Sequence, residues 1–239
     1  MAWFKRKEKQ RQSGFCSAVI VAAGASSRMG EDKIMRELGG IPVIAHTLLA
    51  FQRAPEVDEI VVVTREELVA EVADLCRQLQ IDKASKVIRG GASRVQSARL
   101  GTLEVRREAE LIAIHDGARP FVTQEVISAA VGKAAQTGAA APAVSVKDTI
   151  KEASDGLVER TLDRARLYAV QTPQVFEASL IRAALQKALD DGAPLTDDCA
   201  AVERLGMRVS LTPGDERNIK LTTPADLLWG EALLNEGVL

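Results

Sequence analysis

Histidine and cysteine are scarce in this chain, and their scarcity excludes several kinds of site. Among 239 residues there are two histidines, His46 and His115, and three cysteines, Cys16, Cys76 and Cys199. The cysteines lie far apart and form no CxxC pair, so we expect neither a disulfide framework nor a zinc site. A Ser/His/Asp triad or a histidine-based metal site would need more than the sequence offers. The thiols fit a reducing compartment, and we expect a cytoplasmic protein.

A strong excess of positive charge is also missing. The chain has 31 basic and 33 acidic side chains, whereas proteins that bind nucleic acids usually carry a net basic domain. No apolar run reaches the length of a signal peptide or of a membrane span. We therefore expect no nucleic-acid partner and no membrane partner. The composition is compatible with binding of a small anionic ligand.

The basic residues that do cluster lie at residues 1–14, MAWFKRKEKQRQSG. We interpret this segment as a disordered tail, because short runs of charge are usually solvated. Binding to a nucleic acid or a membrane surface is the alternative for its lysines and arginines.

Apolar strands alternate with helical patterns over most of the chain. Such alternation is typical of a parallel sheet that is covered on both faces. Strands are predicted at 16–22, 59–64, 86–89, 111–115, 139–146 and 208–212, and helices at 43–51, 68–79, from 93, from 123, at 178–190, at 197–205 and from 223. The sequence thus predicts an α/β fold with a mostly parallel Rossmann-like sheet and helices on both faces, as a single domain over residues 15–239.

Residues 147–165 break this alternation. Two runs of alternating polar and apolar residues flank Ser154, Asp155 and Gly156, which together are a hairpin turn signal. We therefore expect a projecting β-hairpin arm. Because an isolated two-stranded hairpin is marginal in water, the arm should pack on something, and we predict a homodimer formed through it.

The loop AAGASSRMGEDK, residues 22–33, follows the first predicted strand. Small residues let backbone N–H groups approach phosphates, and the loop carries two cations, Arg28 and Lys33. It matches neither the P-loop nor the dinucleotide-binding fingerprint. We interpret it as a polyphosphate cradle, with a tight turn that carries solvated cations as the alternative.

A second informative loop, HDGARP at residues 115–120, also follows a strand. Ligands of parallel sheets bind at the carboxyl ends of strands, so the two loops are placed to share one site. Asp116 is a candidate ligand for a divalent cation, and Arg119 is a candidate for binding an anion. The alternative is a buried ion pair between them that fixes the loop. We expect His115 to pack or to hydrogen-bond at the strand end.

Paired glycines follow a third strand in GGASRVQS, residues 90–97. Gly90 and Gly91 suit a base or ribose edge pressed against the backbone. A helix start capped by Ser93, with Arg94 solvated, explains the same residues and stays open as the alternative.

Taken in order, these motifs resemble one family. The strings are AAGASSRMG with Lys33, GGASRVQS, HDGARPF, DTIK, LDRARLYAVQTPQVF, LTDDCAAVE and NIKLTTPADL. They are similar to the methylerythritol phosphate cytidylyltransferases over residues 17–234. One departure is EDKIMREL around Lys33, where many members of the family have a Pro-Lys-Gln run.

The resemblance implies that a phosphate oxygen of a sugar-alcohol phosphate attacks the α-phosphorus of CTP and that pyrophosphate leaves. That phosphate is already anionic, so positioning and charge neutralisation suffice, with Mg²⁺ as the implied cofactor. The implied residues are catalytic Arg28, Lys33 and Lys220; nucleotide-binding Ala22, Ala23, Gly24, Gly90, Gly91, Ser97 and Asp116, the last also the Mg²⁺ ligand; and acceptor-binding Arg119, Thr149, Arg164, Thr172 and Thr196.

Other interpretations of the same residues remain. Arg164 could form a surface salt bridge with Asp163 or Glu159, and the three threonines could serve turns or helix caps. A ribitol 5-phosphate cytidylyltransferase would share the nucleotide site and differ at the acceptor. A nucleotide-binding module without turnover would share the fold, since a fold alone does not establish a function.

Overall fold

A computed structural model describes residues 14–24 and 33–237. Its strands are β1 (Cys16–Val21), β2 (Glu37–Leu38), β3 (Ile41–Pro42), β4 (Glu59–Thr64), β5 (Ala84–Arg89), β6 (Leu111–Asp116), β7 (Ala139–Ser145), β8 (Lys151–Ser154), β9 (Leu157–Thr161), β10 (Tyr168–Val170), β11 (Gln174–Glu177) and β12 (Ser210–Pro213). Its α-helices are α1 (Val43–Arg53), α2 (Val69–Gln78), α3 (Arg94–Glu104), α4 (Gln124–Thr137), α5 (Ala178–Asp190), α6 (Asp198–Arg204) and α7 (Pro224–Asn235).

Eight strands form one sheet, in the order β10-β7-β11-β6-β1-β4-β5, with β12 paired to β7. Neighbours among β5, β4, β1 and β6 are parallel, and so are β12 and β7. The strands β10 and β11 run antiparallel to their partners. The predicted α/β fold with a mostly parallel sheet is thereby confirmed.

Alternate residues of the buried strands pack into two different cores. In β1, Ala18 and Ile20 face a core that includes residues of α1, α2 and α4. Val19 faces the opposite core, to which α3, α5 and α6 contribute. Because both faces of β1 are buried, the strand is mostly apolar along its whole length and shows no alternation of polar and apolar residues; its one polar residue, Ser17, is buried and donates to Glu59. Helices thus cover both faces of the sheet, as predicted.

Gly101 lets α3 approach the sheet closely. A methyl group at this position would come within 2.3 Å of Val19 Cγ1 and 2.9 Å of Val63 Cγ2. We expect Gly101→Ala to lower the free energy of unfolding by about 1–3 kcal/mol, because overpacking outweighs the gain in helix propensity. Urea denaturation measures this change.

The matched control is Gly132→Ala in α4, where an added methyl group would have no atom within 4 Å in residues 14–24 and 33–237 apart from the adjacent residues and backbone of its own helix. Alanine there should raise the free energy of unfolding by about 0.5–1 kcal/mol. Stabilisation by both substitutions would contradict the close packing of α3 inferred at Gly101.

The strands β8 and β9 form a separate two-stranded hairpin within residues 147–165. Asp155 and Gly156 have φ angles of 50° and 79°, which are the left-handed values that a two-residue hairpin turn requires. Leu157 and Val158 are 74% and 62% exposed. The hairpin is present where the turn signal predicted it, and its two large apolar side chains face solvent in the single chain.

Side-chain caps fix several helix starts that the sequence predicted. Ser93 accepts a hydrogen bond from the backbone N–H of Gln96, and Thr123 caps α4 in the same way. Thr223 and Asp226 form a capping box at α7. Across residues 14–24 and 33–237, no helix is both long and apolar enough to cross a bilayer. Except for Gly14, the predicted tail at 1–14 lies outside the described residues.

Candidate active site

An open cavity of about 330 Å³ lies where several predicted loops meet. The loops follow β1, β5 and β6, so the cavity is at the carboxyl ends of parallel strands, as expected. Its lining includes Ala22, Ala23, Gly24, Lys33, Gly91, Arg94, Ser97, Asp116 and Lys220. Arg28 lies outside the described residues.

One part of the cavity wall depends on small residues. A methyl group on Gly90 would come within 2.4 Å of Ala23 Cβ and 2.8 Å of Ser97 Oγ. The hydroxyl of Ser97 accepts a hydrogen bond from Gly91 N–H at 3.1 Å. Gly90 therefore packs behind Ala23, while Gly91 and Ser97 line the cavity.

Asp116, the last residue of β6, lies among three cations. Its Oδ2 is 2.8 Å from Lys220 Nζ and 3.7 Å from Arg119 Nε, and its Oδ1 is 3.3 Å from Arg94 Nε. The Arg119 guanidinium also donates to the Asn218 carbonyl at 2.6 Å. The ion pair between Asp116 and Arg119, which the sequence analysis gave as the alternative interpretation, is thus present as one part of a larger cluster.

The cluster keeps the Asp116 carboxylate ionised. Burial opposes ionisation, but the charges of Arg94, Lys220 and Arg119 outweigh it and hold the pKa of Asp116 well below its usual range. Lys220 remains 36% exposed, so one cation of the cluster reaches the open part of the cavity. Phosphate oxygens entering there would meet positive charge around a fixed negative centre.

Arg94 has a larger role than the sequence analysis gave it. Ser93 does cap α3, but Arg94 is not simply solvated. Its two terminal nitrogens donate to Asp198 at 2.9 and 2.8 Å, and its Nε donates to Asp116. Asp198 was not predicted as a site residue. Its only signal in the sequence was its place in the string LTDDCAAVE.

His115 and Thr172 support Asp116 from within the fold. Thr172 Oγ1 accepts from Asp116 N–H at 3.2 Å and lies 2.9 Å from His115 Nδ1. His115 Nε2 lies 3.2 Å from the Arg119 carbonyl, so a proton on Nε2 lets Thr172 donate to Nδ1. Both side chains are buried. The expected structural role of His115 matches these contacts.

His115 should stay uncharged in the folded protein. Burial lowers the pKa of His115 to about 3, whereas an unfolded histidine titrates near about 6.5. The unfolded state then binds the extra proton, so stability is full above about pH 6.5 and falls as the pH drops toward 3. We expect a loss of about 2 kcal/mol from this group between pH 7 and pH 5. Urea denaturation at both pH values measures it.

A His115→Gln variant lacks the titrating imidazole and serves as the comparison. It should be less stable at pH 7 but lose about 2 kcal/mol less between pH 7 and pH 5. The same pH dependence in both proteins would contradict a neutral His115.

The remaining predicted acceptor residues lie apart from the cavity wall. Thr149 and Thr196 are exposed, and Arg164 donates to the Lys147 carbonyl at the base of the hairpin. The structure shows this bond for Arg164 in place of the alternative salt bridge with Asp163 or Glu159. In the single chain these three side chains are not among the residues that line the cavity.

Comparison with known proteins gives consistent matches over nearly the whole chain. A family model described as 2-C-methyl-D-erythritol 4-phosphate cytidylyltransferase matches residues 16–236. A protein of that name from Halalkalibacterium halodurans is 45% identical over 222 residues, covering 92% of this chain and 97% of the relative. One from Dehalococcoides mccartyi is 46% identical, covering 92% and 96%.

The chain belongs to the 2-C-methyl-D-erythritol 4-phosphate cytidylyltransferase family. The crystal structure of 4-diphosphocytidyl-2C-methyl-D-erythritol synthase from Anaerococcus prevotii superposes with a TM-score of 0.85 at 31% identity, covering 93% of this chain and 96% of that chain. The resemblance stated from the motifs is thus confirmed. As in other α/β folds, the candidate site of this 2-C-methyl-D-erythritol 4-phosphate cytidylyltransferase family member is built on loops after the strands.

Proposed function

We propose that this protein transfers CMP from CTP to 2-C-methyl-D-erythritol 4-phosphate, giving 4-diphosphocytidyl-2-C-methyl-D-erythritol and pyrophosphate, in the non-mevalonate synthesis of isoprenoid precursors. The family match over residues 16–236 carries this proposal. The cationic cavity at the strand ends supports it, because both substrates are phosphates. We further propose a single domain over residues 15–239 and a cytoplasmic location, which the small number of widely spaced cysteines suits.

In the proposed reaction, an oxygen of the acceptor phosphate forms a bond to the α-phosphorus of CTP while the bond to pyrophosphate breaks. The attacking oxygen is already ionised, so the protein needs to supply position and compensating charge. Lys33 and Lys220 line the cavity and would neutralise the triphosphate as it reacts, together with Arg28. Ala22, Ala23, Gly24, Gly90, Gly91 and Ser97 would hold the cytidine by shape and backbone hydrogen bonds.

The residues present fit a Mg²⁺ ion that is held mostly by phosphates. Across residues 14–24 and 33–237, no group of three acidic, histidine or cysteine side chains forms a complete metal site. Asp116 provides one ionised carboxylate at the cavity wall, and Mg²⁺ in such sites takes one or two carboxylates plus substrate oxygens. When bound, Mg²⁺ would neutralise charge on the phosphates.

The acceptor side is proposed to need two subunits. Arg119 and Thr172 lie at the Asp116 cluster, with Thr172 acting through the Asp116 backbone. Thr149 and Arg164 lie at the base of the hairpin and would reach the site of a second copy. Leu157 and Val158, exposed in the single chain, would be covered in that homodimer, as large apolar side chains usually are.

We expect Arg164→Ala to raise the KM for 2-C-methyl-D-erythritol 4-phosphate about 10- to 100-fold, because one charged contact with a phosphate is lost. The Kd for CTP should not change. Arg160→Ala is the control, since Arg160 is an exposed hairpin arginine that pairs with Glu152. Unchanged acceptor kinetics for Arg164→Ala would contradict its assignment to the acceptor site.

The deciding experiment is Mg²⁺-dependent release of pyrophosphate from CTP. 2-C-methyl-D-erythritol 4-phosphate and ribitol 5-phosphate are offered separately as acceptors, and ATP replaces CTP as the nucleotide control. We expect release with CTP and the methylerythritol acceptor. Preference for ribitol 5-phosphate would show that the protein is a ribitol 5-phosphate cytidylyltransferase. CTP binding without release from either acceptor would indicate a nucleotide-binding module.

A further inference from the structure

Arg94 joins two carboxylates that differ in their access to the cavity. Its Nη1 and Nη2 donate to the two oxygens of Asp198 at 2.9 and 2.8 Å. Its Nε donates to Asp116 Oδ1 at the longer distance of 3.3 Å. Two parallel hydrogen bonds fix the plane of a guanidinium as well as its position. Asp198 therefore sets the orientation of Arg94, and Asp116 receives the remaining N–H.

Asp198 itself is hidden from the cavity. Its side chain is 1% exposed, compared with 10% for Asp116 and 28% for Arg94. A charged group buried to this degree is costly unless it is paired and hydrogen-bonded. Burial does raise the pKa of Asp198, against the attraction of Arg94. Asp198 thus contacts no incoming ligand directly, and any effect it has on the site passes through Arg94.

Gln174 holds the first turn of α6, from which Asp198 projects. Its Oε1 accepts from the backbone N–H groups of Asp198 and Cys199 at 2.9 and 3.0 Å. Its Nε2 donates to Asp197 Oδ2 at 2.8 Å. Gln174 is buried and lies on β11 in the sheet. The start of α6 is therefore attached to the sheet by one side chain that bonds both its backbone and its cap.

The way Arg94 divides its hydrogen bonds between Asp198 and Asp116 determines how much of the Asp116 carboxylate a cation can reach. Lys220 occupies Oδ2 at 2.8 Å, and Arg94 reaches Oδ1 through Nε alone. If the two terminal nitrogens of Arg94 were released from Asp198, they could turn to Asp116 and form the paired bonds that guanidinium and carboxylate groups favour. A cation brought in by the nucleotide would then compete with a bidentate arginine.

We propose that Asp198 is a positioning residue that holds the terminal nitrogens of Arg94 away from Asp116 and so keeps the Asp116 carboxylate available to a nucleotide-bound divalent cation. Gln174 assists by fixing the first turn of α6. The inference rests on the proposed function, because it assigns to Asp116 a cation that arrives with CTP. Thr196 precedes the same turn, so α6 also connects this cluster to the proposed acceptor side.

The test measures CTP binding by calorimetry at a series of Mg²⁺ concentrations, with no acceptor present. In Asp198→Asn, the half-saturating Mg²⁺ concentration should rise about 10- to 100-fold, the usual effect of removing a partner behind a metal ligand. CTP binding in EDTA should change little. Asp191→Asn is the matched control, since Asp191 pairs with Lys187 and Arg204 outside the cavity, and it should change neither quantity.

Combining Asp198→Asn with Arg94→Gln shows whether Asp198 changes the Mg²⁺ dependence of CTP binding through Arg94. In Arg94→Gln, the added Asp198→Asn substitution should cause no further shift in Mg²⁺ dependence, because coupled residues are not additive. If the double variant needs still more Mg²⁺ than Arg94→Gln alone, by the same factor that Asp198→Asn causes in the unaltered protein, the two residues act independently and the proposal is overturned. So would an Asp198→Asn protein with a lower Tm but unchanged Mg²⁺ dependence, since a structural role alone predicts that result.

Gln174→Asn provides an independent measurement in case Asp198→Asn does not fold. It leaves Asp198 in place and should shift the Mg²⁺ dependence in the same direction by a smaller factor; an unchanged dependence would overturn the proposal. The proposed function has a separate mode of failure. If the unaltered protein binds no CTP at any Mg²⁺ concentration, the function is wrong; normal binding by both Asp198→Asn and Gln174→Asn overturns the positioning role alone.

Discussion

Replacement of Lys220 by alanine is expected to lower kcat for pyrophosphate release about 100- to 1,000-fold, which corresponds to roughly 3–4 kcal/mol in the barrier. Lys220 Nζ lies 2.8 Å from Asp116 Oδ2, and the side chain lines the cavity while remaining 36% exposed. An ammonium group there can move to phosphate oxygens as negative charge passes to the leaving pyrophosphate. Arg94 and Arg119 still neutralise Asp116 after the substitution, so the fold should be retained.

Two variants separate this effect from a general change in charge. Lys187→Ala removes a lysine that pairs with Asp191 on the surface of α5, and its kcat should equal that of the unaltered protein. Lys220→Arg keeps the charge and should keep part of the rate, though with altered geometry. If Lys220→Ala raised only the KM for CTP and left kcat unchanged, Lys220 would bind the ground state and not the transition state.

The central sheet could be predicted because its strands are buried on both faces. In β1, β4 and β6 all the residues are buried, and the apolar runs that make up most of each strand are visible without any structure. The helix starts at Ser93, Thr123 and Thr223 were equally readable, because caps are local chemistry. The hairpin turn at Asp155 and Gly156 belongs to the same class of local signal.

The strand β11 was not predicted, although it lies between β6 and β7 in the sheet. It has four residues, and Glu177 at its end caps α5, so its sequence merges with the helix that follows. A segment this short shows no recognisable alternation of polar and apolar residues from which a strand could be predicted. Its position is set by pairing with Ile114 and Ala140, contacts that are remote in the sequence.

In the candidate site, too, some residues could be predicted from the sequence and others could not. Lys33, Asp116 and Lys220 were assigned from loop motifs and family resemblance, and the structure places all three on one cavity. The pairing of Arg94 with Asp198 spans 104 residues, and no local pattern links them. A buried aspartate in the first turn of a helix reads as ordinary capping chemistry in the sequence, so its partner becomes evident only in the folded chain.

Asp116→Asn should have opposite effects on turnover and on metal-free nucleotide binding. Asparagine keeps the shape of the side chain but removes the negative charge that balances Arg94, Arg119 and Lys220. The cavity becomes more positive, so CTP should bind at least as tightly in EDTA as it does to the unaltered protein. The Mg²⁺-dependent kcat should fall about 100- to 1,000-fold, because an ionised ligand for the cation is lost.

Calorimetry in EDTA and pyrophosphate release in Mg²⁺ measure the two quantities on one preparation of Asp116→Asn, with Asp191→Asn as the control. A parallel loss of both would indicate that the substitution collapses the loop after β6, and the proposed role of the charge would then be wrong. Because the neighbouring cations hold the pKa of Asp116 well below its usual range, the unaltered protein should show no acid limb from this group between about pH 5 and pH 9. The difference between the two proteins should therefore be constant over that interval, which distinguishes the loss of a permanent charge from the loss of a titrating acid or base.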